Sequence, residues 1–186
     1  MKRKFRLYYD KDKEEIWLNQ MCSKGWGMTR FFMGVYTFEP CIPDEYTYQV
    51  DLPDLWGTST NDKDRKKREY IEFIEETGAE YVCTWGFYMI FRKKKEKGDF
   101  KLYTDPESQI KLYQRFRKLF FAVLLLELAV SIFDTVNFVY TISLPWHPSI
   151  YMMIIVELIC IGIMYAIVGK LIAVIVQLTG KIQELK

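Results

Sequence analysis

Three carboxylates stand where carboxylates are costly. Glu127, Asp134 and Glu157 interrupt runs of Leu, Ile, Val, Phe and Met, and ionisable groups in such surroundings pair, face a partner or mark an ion path. Glu127 and Asp134 are seven residues apart and share a helical face. Ser131, Asn137 and Thr141 fall on the same stripe. A polar stripe on an apolar helix faces protein, not lipid. Three uses fit it: holding helices together within the chain or between copies, contacting another membrane protein, or forming part of a proton or cation path. Two helices cannot enclose such a path alone, so the last use requires oligomers or a partner. Folded back about Pro145, the chain would bring Asp134 and Glu157 to similar depth.

Other chemistry is sparse. Cys22, Cys41, Cys83 and Cys160 form no CxxC pair and His147 is the one histidine, so neither a zinc site nor another metal site is expected. The four cysteines read as small buried hydrophobes. The residues before 118 contain no histidine, which excludes Ser-His-Asp and Cys-His arrangements there. No Gly-rich phosphate loop is present. No enzymatic activity and no cofactor are expected. The net charge of +2 averages over local basic runs, "KDRKKR" and "RKKKEK". The first reads as a solvated helix face. The second reads as a turn near a membrane, where anionic lipid attracts it. Neither implies sequence-specific nucleic-acid binding.

The elements carrying the carboxylates are two long apolar segments. Residues 119–142 and 149–180 each exceed what a bilayer core of about 30 Å requires, the second with a cytosolic extension. Prolines in "TISLPWHPS" stop the helix between them, giving a transmembrane hairpin. Lys111, Arg115, Arg117 and Lys118 precede the first span, Lys170, Lys181 and Lys186 lie late in or beyond the second, and the connecting loop has no Lys or Arg. The positive-inside rule then places both termini in the cytosol of a multi-pass membrane protein. Tyr140, Trp146 and Tyr151 suit the outer interface, and Tyr113, Phe116 and Phe120 the inner one. Gly162, Ala166, Gly169 and Ala173 form a stripe of small residues that permits close helix packing. The opening "MKRKFRLYYDKDKEE" lacks the apolar core of a secretory signal.

The remaining residues contain a repeat. "LNQMCSKGWGMTRFFMGVYTFEP" from Leu18 aligns without a gap on "IEFIEETGAEYVCTWGFYMIFRK" from Ile71, an offset of 53. Each copy reads as a helix, a Gly stop (Gly25, Gly78) and a hairpin. The first helix starts at its Asp residues, the second at Asn61 or Asp62 as cap. Met33-Gly34 and Trp85-Gly86 mark the hairpin turns. With "FRLYY" and "YTYQVDL" ahead of the helices, this gives two β-α-β-β units, and "FKLYT" follows as a last strand. The fold class is α+β: a cytosolic antiparallel sheet with two helices on one face over residues 1–105 (copies about 5–45 and 46–104), a juxtamembrane helix over 106–118, then the transmembrane hairpin. "PDLWGTST" links the copies.

The domain is rich in aromatic residues. A hydrophobic core accounts for most of them. A cleft between the copies, lined by Trp26, Trp85, Tyr36 and Phe87, is the candidate ligand site. Duplicated β-α-β-β units resemble small-molecule sensing domains of the gyrase-inhibitor-like class, a likeness of fold alone.

At "KFRLYYDKDKEEIWLNQMCSKGW", "FFMGVYTFEP", "YTYQVDL", "YIEFIEETGAEYVCTWGFYMIFRK" and "FKLYTDPESQIKLYQR" the chain resembles a bacterial family known as domain of unknown function 2812. The resemblance covers roughly residues 4–115. Its members typically carry hydrophobic C-terminal helices and are often encoded beside PadR-like regulators. It implies a membrane-anchored regulatory or accessory protein and supplies no site residues. Ala79 departs from the aromatic or polar residue that members often carry there. Together these readings predict a membrane-tethered sensor or adaptor that signals through the juxtamembrane helix. Its partners are membrane lipid and a protein (a transcription regulator, a membrane complex or a second copy) or a small ligand. The alternative is an accessory or oligomeric subunit of a transporter using the intramembrane carboxylates.

Overall fold

The computed structural model describes residues 1–54, 60–143 and 148–186. Most of the linker between the copies and the interhelical loop with Pro145, Trp146 and His147 lie outside them. The chain divides into two compact units, Met1–Leu112 and Tyr113–Lys186.

The first unit is β-α-β-β twice: β1 (Lys2–Phe5), α1 (Lys11–Ser23), β2 (Trp26–Phe32) and β3 (Val35–Pro40), then β4 (Tyr46–Asp51), α2 (Thr60–Glu76), β5 (Glu80–Trp85) and β6 (Tyr88–Lys94). Each copy forms its own three-stranded antiparallel sheet, β1-β3-β2 and β4-β6-β5. The registers repeat the offset read from sequence. Met28 faces Phe38 as Tyr81 faces Phe91, and Phe32 faces Val35 as Trp85 faces Tyr88. Both hairpins shift register at the same place, between Met28 and Arg30 and between Tyr81 and Cys83. A shared bulge fixes the twist and aim of a strand, so its recurrence marks one structural unit used twice.

Local chemistry explains the punctuation. Asp10 caps α1 by accepting from Asp12 N–H at 3.1 Å. Gly25 and Gly78 follow the two helices at φ +76° and +83°, the left-handed conformation that ends a helix. A Cβ at Gly25 would also lie 3.2 Å from the Cys41 carbonyl oxygen. Three boundaries differ from expectation. Helix α2 begins at Thr60, so Asn61 and Asp62 lie in its first turn and neither is the cap; Asp62 pairs with Arg65 instead. The second turn is Gly86-Phe87, with Trp85 the last residue of β5. "FKLYT" forms no strand: after Gly98 at φ +94° the chain leaves the sheet, and Phe100 enters a core with Ile74, Ala79, Met89 and Phe91. That packing accounts for the small residue at 79. Phe100 and Leu102 fill the space beside it.

The two copies are joined through β4. This edge strand presents the N–H groups of alternate residues, and α1 answers each with a side chain. Tyr46 N–H donates to Cys22 Sγ at 3.3 Å, Tyr48 N–H to Asn19 Oδ1 at 2.8 Å and Val50 N–H to Glu15 Oε1 at 2.7 Å. Asn19 also donates to the Tyr48 carbonyl at 3.3 Å. Residues 15, 19 and 22 fall on one helical face, matching the period of two along a strand. The neighbouring face of α1 carries Trp17, Leu18 and Met21 into the core, where the Trp17 ring meets Tyr36 at 4.8 Å and Phe38 at 5.5 Å.

The copies are not equivalent in their surroundings. Tyr48, Val50 and Ile90 are buried on the face of the second sheet that points away from α2. That face meets β2: the Tyr48 hydroxyl accepts from Met28 N–H at 2.8 Å, and Arg92 donates to the Met28 carbonyl at 3.5 Å. The same face of the first sheet, with Thr37 and Glu39, stays partly or fully open.

The second unit holds the greater part of α3 (Pro106–Ile142) and all of α4 (Pro148–Glu184), both long and apolar enough to cross a membrane. They pack antiparallel through Leu124, Val168 and Leu171, with Phe120, Leu128 and Ile175 around them. Phe116 is buried and Phe120 belongs to this cluster, so these two rings serve helix packing before any interfacial role. Tyr113 lies beneath the Lys181 ammonium at 5.5 Å.

Replacing Asn19 by Ala strips the Tyr48 N–H and carbonyl of their partners and is expected to destabilise the fold by about 2 kcal/mol. Thermal unfolding of the full chain in mild detergent measures it, with exposed Ser23→Ala as the neutral reference.

Candidate functional site

The four aromatic residues proposed for a cleft do not line one: Tyr36 and Trp85 both meet the Phe31 ring, at 4.4 and 6.0 Å, whereas Trp26 is set apart from them. Trp26 opens β2 and Trp85 meets its far end, where the Phe32 and Trp85 rings lie 5.0 Å apart. The length of β2 therefore separates the two tryptophans, about 20 Å at strand rise. Trp26 sits under the Lys2 ammonium at 4.9 Å. Tyr36 is a core residue, its ring 4.4 Å from Phe31. Phe87 is exposed in its turn, with the Lys63 ammonium 5.4 Å away.

Two buried carboxylates that sequence reasoning passed over organise the first unit. Glu14 on α1 accepts from the Tyr36 hydroxyl at 2.7 Å. Burial pushes its carboxyl up to about 7; the Tyr36 hydrogen bond opposes that rise and the neighbouring Glu15 charge adds to it. Asp51, at the end of β4, is fully buried. The Tyr70 hydroxyl of α2 donates to one of its oxygens and the Tyr103 hydroxyl to the other, the latter at 2.8 Å. Burial and the Asp51 charge push the Tyr70 phenol far up, so it remains a donor. Gln109, in the first turn of α3, donates to the Tyr103 carbonyl at 3.3 Å. Asp51 thus ties β4, α2 and the entry to α3 together. In sequence Glu14 looks like an ordinary member of a charged stretch and Asp51 like a polar strand end. The one available sign was spacing: Glu14 shares a helical face with Trp17, Leu18 and Met21.

The intramembrane set divides in the same way. Ser131 and Thr141 are buried, whereas Asn137 is exposed and donates to the Phe133 carbonyl of its own helix at 3.0 Å. Thr141 donates to Glu157 Oε1 at 3.1 Å, and the Thr135 and Tyr165 hydroxyls lie 3.2 Å apart. These pairs put Glu157 level with Thr141 and Asp134 level with Tyr165, so Asp134 and Glu157 stand about two helical turns apart. The expectation of equal depth is corrected: the helices pack through Leu124, Val168 and Leu171, in a register offset from one folded symmetrically about position 145. Glu127 Oε1 and Glu157 Oε2 are buried with no hydrogen-bond partner among the described residues. Gly162, Ala166, Gly169 and Ala173 are exposed on α4, and nothing lies within 4 Å of a Cβ built at Gly162 or Gly169. The α3-facing stripe is instead Val168, Leu171 and their neighbours, one position around the helix.

Of the cysteines, Cys22 is buried, Cys41 and Cys83 are half-buried and Cys160 is exposed. Among the described residues no group of three or more His, Cys, Asp or Glu could hold a metal. Four side chains of the basic runs are in ion pairs among the described residues. Arg65 pairs with Asp62 and Glu69, Arg92 with Glu80, Lys94 with Glu45 and Lys95 with Asp44. Arg92 and Lys94 belong to β6, so only the later part of "RKKKEK" is a turn. The open face of the first sheet forms a concavity of about 730 Å³ that includes Arg3, Thr37 and Glu39.

Glu14 generates a pH prediction. In the folded chain it keeps its proton to about pH 7, against about 4.3 unfolded. Between those values the folded state binds more protons, so this group's contribution to stability falls as pH rises through 7. Glu14→Gln is expected to match the wild type near pH 4 and to exceed it by about 1–3 kcal/mol at pH 8, read from unfolding curves across that range.

No curated protein and no solved structure matches the chain. A family model described as "Protein of unknown function (DUF2812)" matches residues 10–125, which run from the cap of α1 through both copies and into α3, and the chain belongs to that family.

Proposed function

We propose that the chain is a non-catalytic, multi-pass membrane protein with both termini in the cytosol, a sensor or adaptor whose duplicated domain engages a protein partner or small ligand. The observation that carries this reading is α3. It is one helix from Pro106 to Ile142, with no proline or glycine inside it, and its entry is held through Tyr103 by the buried Asp51. A change in how the domain holds that segment reaches the apolar part of α3 without a break. The open face around Arg3, Thr37 and Glu39 supplies the docking surface, since the corresponding face of the second copy is already covered. The full chain purified in mild detergent is expected to retain a specific partner or to gain thermal stability with a ligand. Thr37→Arg should abolish either, and binding should alter amide exchange over residues 103–112. No partner, no ligand-induced shift and no effect of Thr37→Arg would refute the proposal.

A second reading rests on the unpartnered Glu127 Oε1 and Glu157 Oε2: an accessory or oligomeric subunit of a transporter, whose other helices complete the hydrogen bonding. Glu127→Gln and Glu157→Gln are then expected to lower flux at least tenfold in vesicles reconstituted with the complex. Unchanged flux would sink it.

A further inference from the structure

The turn between β2 and β3 is built from a residue that folding alone disfavours. Met33 and Gly34 both have positive φ, +45° and +79°. Two-residue hairpin turns of this kind favour Asn, Asp or Gly, and a long side chain at positive φ is strained. The second copy has Gly86 at the matching position, at φ +58°. Nor does Met33 compensate by filling the core, because its side chain is exposed. Phe5, Leu7, Phe32, Met33 and Phe87 are between 49 and 68 % exposed. They gather at one end of the unit. A Cβ at Gly34 would lie 2.8 Å from Phe5 and 2.9 Å from Leu7, and Phe32 touches Trp85, bringing the second hairpin turn beside the first.

The rim of this apolar end is basic. Residues 1–9 and 26–38 contain five Lys or Arg and no Asp or Glu. Lys4, Arg3 and Arg30 are exposed, and Lys63 stands over the Phe87 ring. An exposed patch of large apolar side chains marks an interaction site. Protruding turns with aromatic and aliphatic tips and a cationic rim match the chemistry of an anionic lipid surface, where the tips enter the headgroup boundary and the cations meet lipid phosphates. The two helices able to span a bilayer would keep the domain at high effective concentration beside lipid, so weak contacts suffice.

We propose that this double hairpin end is a lipid-docking surface that holds the N-terminal unit against an anionic leaflet. It rests on the membrane-anchored reading above and goes beyond it, since anchoring by α3 and α4 does not require the domain to touch lipid.

The test is amide hydrogen exchange of the full chain in nanodiscs of phosphatidylcholine alone or mixed with phosphatidylglycerol, at low salt. Exchange at residues 31–35 and 85–88 is expected to be at least fivefold slower in the anionic discs. Salt at 0.5 M should remove much of the difference, and Met33→Asp should abolish it. Asp tolerates this backbone conformation better than Met, and protected amides in β3 and β6 confirm folding in the same measurement. Equal exchange in the two lipids, or protection unchanged in Met33→Asp, overturns the proposal while leaving anchoring intact. Protection produced by a soluble acidic peptide but not by anionic lipid assigns the surface to a protein partner and overturns it too. A chain that fails to enter nanodiscs overturns the anchoring reading and this proposal together.

Discussion

An edge strand must do something with the N–H groups that no neighbour pairs, and the N-terminal unit is organised around how β4 does it. Glu15, Asn19 and Cys22 of α1 stand in for a missing strand, accepting from alternate residues of β4. The arrangement is strict, because one turn of slippage would leave buried donors unpaired. It also decides how the copies combine. Helix α1 belongs to the first copy and β4 to the second, so neither copy satisfies its backbone alone. The aromatic core of Trp17, Tyr36 and Phe38 and the contact of Tyr48 with Met28 follow from that placement.

The same interaction breaks the symmetry of the duplication. Strand β1 holds the position in its sheet that β4 holds in the other, yet among the described residues it makes no comparable set of bonds to α2. Its residues from Arg3 to Phe5 are exposed. One copy therefore buries its outer face on the other, and the other leaves the equivalent face, with Thr37 and Glu39, open. Duplication followed by unequal burial leaves two copies of one unit under different packing constraints.

In the helical unit the governing constraint is different. Large apolar side chains set the register of α3 against α4, and polar groups take the neighbours that register provides. Glu157 obtains Thr141 for one oxygen and Thr135 obtains Tyr165. Glu127 Oε1 and Glu157 Oε2 are left without a partner. The small-residue stripe of α4 faces outward for the same reason, since Val168 and Leu171 present more surface to pack.

By itself the amino-acid sequence determined the periodic features. Hydrophobic runs specify the two long helices, and the offset of 53 specifies two β-α-β-β units down to the matched glycines at 25 and 78. The first hairpin turn and the two glycine helix stops were legible because each rests on a local backbone preference, whereas the start of α2 and the second turn fell one or two residues from where the sequence put them. Only the tertiary structure decided which polar residues matter. Asn19 is indistinguishable in sequence from a solvated helix residue, and Asp51 from a strand end. Their roles arise from groups 29 and 52 positions away, Tyr48 and Tyr103. Likewise Trp26 and Trp85, both candidates for one cleft, are held apart by the length of a strand. Local propensity acts over a few residues, whereas satisfying a buried hydrogen bond is a property of the whole fold, and that difference in range is why the chain announced its elements but not its site.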